Sequence, residues 1–266
     1  MTANSSGRPP FLEFENVSVV KGGRRLLDRI SLQIHEGERI AVLGPNGSGK
    51  TTLIRTISRE YYPAAGDGTI FRVMGSDLWM VADLRRYFGV VSGELQSSFH
   101  RGITGREVIL SGFFSSADLF HRRITPEMEE RAEELIRLLG VCGLADRRMD
   151  RLSAGEARRF LIGRALVHCP SFLLLDEPTT GLDLQGIHLF RSTLRRISGS
   201  GVGIILATHQ LHDIIPEVTR VLLMKGGRFV LDGPKEEVMQ DAHISALFGV
   251  PVSVKSEEGW YHATSF

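Results

Sequence analysis

Nine consecutive residues, Gly44, Pro45, Asn46, Gly47, Ser48, Gly49, Lys50, Thr51 and Thr52, combine glycines with a lysine and hydroxyls. Glycines at this spacing let the backbone curl with its N–H groups pointing inward. Such donors, together with the positive end of a helix dipole, hold phosphate oxygens. Lys50 is placed to reach the β- and γ-phosphates of a nucleoside triphosphate, and the Thr51 hydroxyl suits Mg²⁺. The pattern works only where a strand delivers the turn to a helix. Both flanks are present, as the apolar run 39–43 and the helical continuation 53–57. An ordinary glycine-rich turn would not need them.

Two further segments carry polar groups that call for an explanation. The apolar run Phe172–Leu175 ends directly in Asp176, Glu177 and Pro178. Two carboxylates at the carboxyl end of a buried strand are unfavourable unless something there uses them. Asp176 is placed to hold the water shell of Mg²⁺, and Glu177 to polarise a water attacking the γ-phosphate. Residues 152–156, Leu-Ser-Ala-Gly-Glu, precede a helical run, 157–166, with apolar residues on one face. Ser153 is a good N-cap, and outward N–H groups at Ser153 and Gly155 would make a second anion site; a plain capped helix explains the same residues.

These groups need a scaffold, and the apolar patterning supplies one. Residues 12–19 and 30–34 alternate apolar and polar side chains, as half-buried strands joined through Gly22 and Gly23. Short apolar runs at 40–43, 88–91, 172–175, 203–207 and 221–224, several separated by helical stretches, predict a buried parallel sheet. Between about Thr104 and Arg151 there is no strand candidate. A helix opens there at Thr125-Pro126-Glu127, presents Met128, Ala132, Leu135, Ile136 and Leu139 as one stripe, and closes at Gly140. The block reads as a helical insertion in an α/β core. Residues 251–254 and 260–262 around Glu258-Gly259 predict a small terminal hairpin, structural and without chemistry.

Composition narrows the function. Lys and Arg number 32 against 31 acidic residues, which gives no overall charge argument for nucleic acid. Cys142 and Cys169 form no close-spaced ligand pair, so neither a disulfide framework nor a zinc site is indicated and a reducing compartment fits. Residues 1–10 lack the apolar stretch of a secretory signal and are expected to be a loose tail. No apolar run approaches the ~18 residues of a membrane span, so work at a membrane requires a separate membrane partner.

The ordered set 44–52, 152–156, 172–178, Gly181-Leu182-Asp183 and Thr208-His209 resembles the ATP-binding cassette (ABC) ATPases over about residues 11–250. The resemblance implies a RecA-like P-loop α/β core, an antiparallel β subdomain and an inserted helical subdomain at about 104–151. It implies that ATP with Mg²⁺ is bound and hydrolysed in a sandwich dimer. Each ATP would lie between Lys50 of one copy and Ser153–Gly155 of the other. Asp183 would communicate across that dimer, His209 would sense the γ-phosphate, and Glu177 would drive hydrolysis. Relative to the family pattern, Ala154 replaces a glycine and Glu156 a glutamine, while Gly155 and Arg164 match.

Two family positions depart. Val20 and Lys21 stand where an aromatic that stacks on adenine is expected, so a weak base preference is expected; a strong ATP preference would mean that another aromatic, such as Phe11, stacks instead. The glutamine expected just after 88–91 is missing; Gln96 or Glu94 could serve, linking nucleotide to a partner docked near Phe99, Phe113, Phe114 and Phe120. These departures, with 216–220 and 248–252, are similar to a molybdate-uptake group, while 108–112 and the layout are similar to metal-chelate importers. Two functions are therefore expected to compete. The favoured one is the cytoplasmic ATPase of a transporter, peripheral at the inner face of the membrane and bound to an integral permease. The other is a soluble ABC ATPase acting on a nucleic acid or protein complex.

Overall fold

Two sheets of different character follow from the two kinds of apolar pattern. A computed structural model describes residues 9–66, 68–93, 99, 102–116, 119 and 121–265. Strands β1 (Leu12–Lys21) and β2 (Arg24–Ile34) pair antiparallel across Gly22 and Gly23, whose φ angles of 57° and 75° suit a tight hairpin turn. β3 (Arg39–Leu43) then enters a second sheet, and β4 (Ile70–Val73) returns to pair with β1. The alternation of β1 is broken by register shifts near Asn16, which takes φ 49°.

The larger sheet adds β5 (Phe88–Ser92), β6 (Phe172–Asp176), β7 (Gly203–Thr208), β8 (Arg220–Lys225) and β9 (Arg228–Pro234), in the order β5-β6-β7-β3-β8-β9. All its pairings are parallel except β8 with β9. Successive side chains of the parallel strands face opposite sides, so each strand feeds two cores. Ala41, Leu43, Leu173, Leu175, Ile204 and Leu206 join one apolar cluster; Ile40, Val42, Leu174 and Ile205 join the other, with the β1–β2–β4 sheet. Burial on both faces explains why these strands read as continuous apolar runs. It also puts the carboxyl ends of β3, β6 and β7, three neighbours, along one edge.

Helices cover both faces: α1 (Lys50–Ile57), α2 (Val81–Tyr87), α3 (Gly105–Ser111), α4 (Pro126–Leu139), α5 (Ala154–Leu166), α6 (Leu184–Ser198), α7 (Lys235–Val238) and α8 (Asp241–Phe248). Helix α4 starts on a Thr125 cap that accepts from the Met128 N–H, and stops at Gly140 with φ 65°. Its buried stripe is Ala132, Leu135, Ile136 and Leu139. Among the described residues of 104–151, the only extended pairing is an isolated bridge between Thr104 and Arg148. Helix α5 departs from the one-sided pattern expected of it. It is buried on nearly every side, Arg158 and Arg159 included, because α3, α4, α6 and β5 surround it. The chain ends in a hairpin of β10 (Val252–Glu257) and β11 (Trp260–Ser265). Strands β4 and β9 escaped the sequence reading: β4 has four residues, and β9 runs into Gly233-Pro234 with largely exposed side chains.

Gly203 marks how tightly the two faces are filled. A Cβ there would lie 2.4 Å from the Phe172 ring and 3.0 Å from the Glu38 carbonyl oxygen. Gly203→Ala is expected to lower unfolding stability by roughly 1–3 kcal/mol through overpacking, measured by urea denaturation.

Candidate nucleotide site

The loop after β3 is shaped by backbone crowding. A Cβ on Gly44 would sit 2.2 Å from the Met224 carbonyl oxygen, and one on Gly49, at φ 110°, would sit 3.0 Å from the Leu26 carbonyl oxygen. Gly47 also takes a left-handed turn, with φ 77°. Helix α1 begins at Lys50 without a side-chain cap, so the N–H groups of its first turn are open to an anion. The Ser48 hydroxyl is buried and has no partner among the described residues. Lys50 is 5% exposed. Its ammonium donates to the carbonyls of Gly44 (2.8 Å) and Pro45 (3.1 Å) and pairs with Glu177 Oε1 at 3.1 Å. An orphan hydroxyl, uncapped donors and a buried cation are the donor set that a triphosphate requires.

The strand neighbours complete the site. Asp176, the last residue of β6, accepts from the Thr51 hydroxyl at 3.1 Å. These two hard oxygens fit Mg²⁺. Burial pushes the Asp176 carboxyl above its ordinary range; the Thr51 bond opposes this, and the adjacent Glu177 charge adds to it. Glu177 follows with φ 47°, a strained backbone for a residue with a side chain, and its N–H bonds the Ala207 carbonyl at 2.9 Å. Its Oε2 lies 2.5 Å from Nδ1 of His209, just beyond β7. Glu177 is thus fixed between Lys50 and His209, so the structure brings together groups from three separate chain segments.

Ser153 and Gly155 stand elsewhere. Ser153 caps α5 in a reciprocal pair with Glu156: its hydroxyl accepts from the Glu156 N–H at 3.2 Å, and its own N–H donates to the Glu156 carboxylate at 2.8 Å. Ser153 and Ala154 are exposed, while Gly155 is buried, with a Cβ position only 2.8 Å from Gly186 Cα. Asp183 caps α6 by accepting from that same Gly186 N–H at 2.7 Å. A cavity of about 400 Å³ over the phosphate loop is lined by Asn46, Gly47, Gly49, Lys50, Thr51, Thr52 and Glu177, and by none of Ser153–Gly155.

The same cavity has a wall that sequence reasoning missed, formed by Arg25, Leu26, Gly226 and Gly227. Arg25 is steadied by Asp28 at 2.9 Å. Phe11 is not available to stack on a base: it is buried, with its ring centroid 4.9 Å from Phe172 and 5.8 Å from Phe88. Lys21 donates to the Tyr61 hydroxyl at 2.8 Å. Glu94, Gln96 and Phe120 lie outside the described residues. Phe99 and Phe113 pack against the core. The neighbouring cleft, about 250 Å³, is instead lined by Glu60, Phe88, Ser92, Gly112, Ser115, Arg164 and His168.

Comparison with known proteins points to one family. The family model for the ABC transporter domain matches residues 27–180. An uncharacterized ABC transporter ATP-binding protein of Bacillus subtilis, YlmA, is 34% identical, the match covering 91% of this chain and 92% of that protein. The hemin import ATP-binding protein HmuV of Rhodopseudomonas palustris is 31% identical, with 92% and 90% covered. The structure of cbiO1 from Clostridium perfringens, part of the ABC transporter complex cbiONQ, superposes with a TM-score of 0.74 at 27% identity, covering 90% of this chain and 94% of that one.

Two outcomes follow from the geometry. Because burial raises the Asp176 carboxyl, its ionisation opposes folding: the penalty is absent below the ordinary carboxyl value, grows as pH rises from that value to the raised one, and is complete above it. Asp176→Asn is therefore expected to raise the melting temperature without Mg²⁺ by a few degrees, roughly 1 kcal/mol at this chain length, and to abolish any rise caused by Mg²⁺ with ATP. Base recognition is expected to be weak: calorimetry should give ATP and GTP dissociation constants within about tenfold, ~1.4 kcal/mol. Arg25→Ala should weaken both by a few-fold, about the 0.5–1 kcal/mol of an exposed cation–π contact.

Proposed function

This chain belongs to the ABC transporter family, and on that premise we propose that it is the ATP-binding and ATP-hydrolysing subunit of an importer, working as an ATP-sandwich dimer. The observation that carries the hydrolytic reading is Glu177, held between Lys50 at 3.1 Å and His209 at 2.5 Å. A triphosphate in the loop competes for Lys50, whose acceptors are otherwise two backbone carbonyls and Glu177 Oε1. Once Lys50 turns to phosphate, Oε1 is free to take a proton from water while His209 steadies Oε2. Thr51 and Asp176 would hold Mg²⁺, which neutralises phosphate charge when bound.

The dimer reading is supported by what each copy leaves open. Ser153 and Ala154 are exposed at the start of α5, away from the chain's own phosphate cavity. Leu184, next to Asp183, is 87% exposed. A second copy placed across these groups would bring an anion-binding helix start to the γ-phosphate.

No helix among the described residues is long and apolar enough to cross a membrane. In our reading an integral permease anchors the protein at the inner face, its docking segment received by the cleft beside Arg164 and His168. The resemblance to HmuV, a hemin import protein, favours import and a metal-chelate substrate. Near-equal basic and acidic content gives no support to a nucleic-acid partner.

Glu177→Gln is expected to retain ATP binding, lose roughly 10²–10⁴ in hydrolysis, and elute as a dimer in ATP and Mg²⁺ when followed by light scattering. Adding Ala154→Asp, an exposed position where a carboxylate suits the helix start, should leave the fold intact and abolish the dimer by facing the γ-phosphate. A Glu177→Gln protein that stays monomeric at saturating ATP overturns the sandwich.

A further inference from the structure

The loops that carry Glu177 and His209 are joined by a buried carboxylate four residues past His209. Asp213 is fully buried, at 0% exposure, in the single turn Leu211–Asp213 that follows β7. Its Oδ1 accepts from the Thr179 hydroxyl at 2.7 Å, and its Oδ2 from the Thr208 hydroxyl at 2.5 Å. Thr179 lies two residues past Glu177, and Thr208 immediately precedes His209. The Thr208 oxygen also accepts from the Gln210 N–H at 3.0 Å, which closes the turn around His209. His212 Nε2 stands 3.7 Å from Oδ1, and Arg191 of α6 lends a positive charge to the same pocket.

Packing alone does not account for an aspartate here. A carboxylate taken wholly out of water is unfavourable unless its oxygens are satisfied, and an apolar side chain of similar volume would fill the space without that penalty. What the carboxylate adds is directional: one oxygen takes the hydroxyl of Thr179 and the other that of Thr208, one from each loop, in the O–H···O⁻ arrangement that gives short, strong bonds. The Glu177 N–H bond to the Ala207 carbonyl, 2.9 Å, is the neighbouring tie between the same two segments.

We propose that Asp213 is a positioning residue for hydrolysis, clamping Thr179 and Thr208 so that Glu177 and His209 stay in contact. The proposal rests on the reading of Glu177 and His209 as the hydrolytic pair. It acts on the chemical step more than on nucleotide affinity, because Lys50 keeps the Gly44 and Pro45 carbonyls as acceptors and the Gly44 N–H bonds the Thr208 backbone carbonyl, none of which uses the Thr179 or Thr208 hydroxyl. A loss of registration of about 1 Å between two reacting groups can lower a rate by ~10².

The test compares shape with hydrogen bonding. Thr179→Val and Thr208→Val keep side-chain volume and remove the donor; the corresponding serines keep the donor and remove a methyl. Each valine variant, and Asp213→Asn, is expected to lower kcat for ATP hydrolysis about tenfold or more while KM for ATP moves less than ~threefold. The serine variants should stay within ~threefold of the parent kcat. If Asp213→Asn does not fold, as judged by circular dichroism, the four threonine variants decide. Equal kcat losses for valine and serine, parent-like kcat in the valine variants, or losses confined to KM overturn the clamp. Glu177→Gln run alongside separates the two readings. Parent-like hydrolysis by that variant removes the hydrolytic assignment itself, whereas loss there with active clamp variants removes only Asp213.

Discussion

Lys50 places an ammonium at the junction of strand, loop and helix, where it is almost wholly removed from solvent. Such a charge needs compensation within a few ångströms, and the surrounding structure is arranged to supply it. Two loop carbonyls and the Glu177 carboxylate meet it directly. Glu177 can do so only because β6 runs parallel to β7, and β7 to β3, which brings three carboxyl ends to one edge. The strained φ of Glu177 belongs to the same requirement: the chain must turn sharply off β6 for its side chain to reach both Lys50 and His209. These acceptors are mutually exchangeable with phosphate oxygens, so the arrangement that satisfies the cation also prepares it for an anionic ligand.

A second constraint operates at the start of α5. Gly155 and Gly186 bring two helix beginnings into backbone contact, and a Cβ on Gly155 would fall 2.8 Å from Gly186 Cα. Ser153 and Asp183 cap these two helices side by side. The two helix starts therefore meet backbone to backbone, with no side chain between Gly155 and Gly186. That proximity gives the two exposed loops the character of one surface, which suits a role at a common interface.

What could be read from the sequence was local. The phosphate loop is contiguous, Gly44 and Gly49 are required by nearby backbone and Gly47 by its left-handed φ, and its flanks announce themselves by burial. The α4 cap and stop lie within the helix they bound, and Thr125 and Gly140 act as their types predict. What could not be read depended on distant chain. The all-round burial of α5 comes from four neighbours and not from its own period. Phe11 looked available for a base because its burial against Phe88 and Phe172 joins segments far apart in sequence. Arg25 gave no signal, since an arginine after a hairpin turn is ordinarily a solvated charge. Asp213 was equally silent: its partners lie 34 and 5 residues away, and only the fold brings both to one carboxylate.

The terminal hairpin belongs to this same long-range class. Its composition predicts an add-on, yet its contacts converge on the segment following β7. The Trp260 ring packs under the Arg191 guanidinium at 4.9 Å, and Arg191 in turn faces Asp213. Lys235, buried and held below its ordinary pKa by desolvation, donates to the Pro216 carbonyl at 2.8 Å and to the Gly259 carbonyl at 3.4 Å. Gly259 itself lies so close to Pro216 that a Cβ would be 3.1 Å from the proline ring. The stretch from His209 to Pro216 is thus bounded on one side by the nucleotide edge of the sheet and on the other by the hairpin. A segment held from both sides can move only if one set of contacts yields, and so the last strands of the chain, remote in sequence from the phosphate loop, bear on how freely His209 can move relative to Glu177.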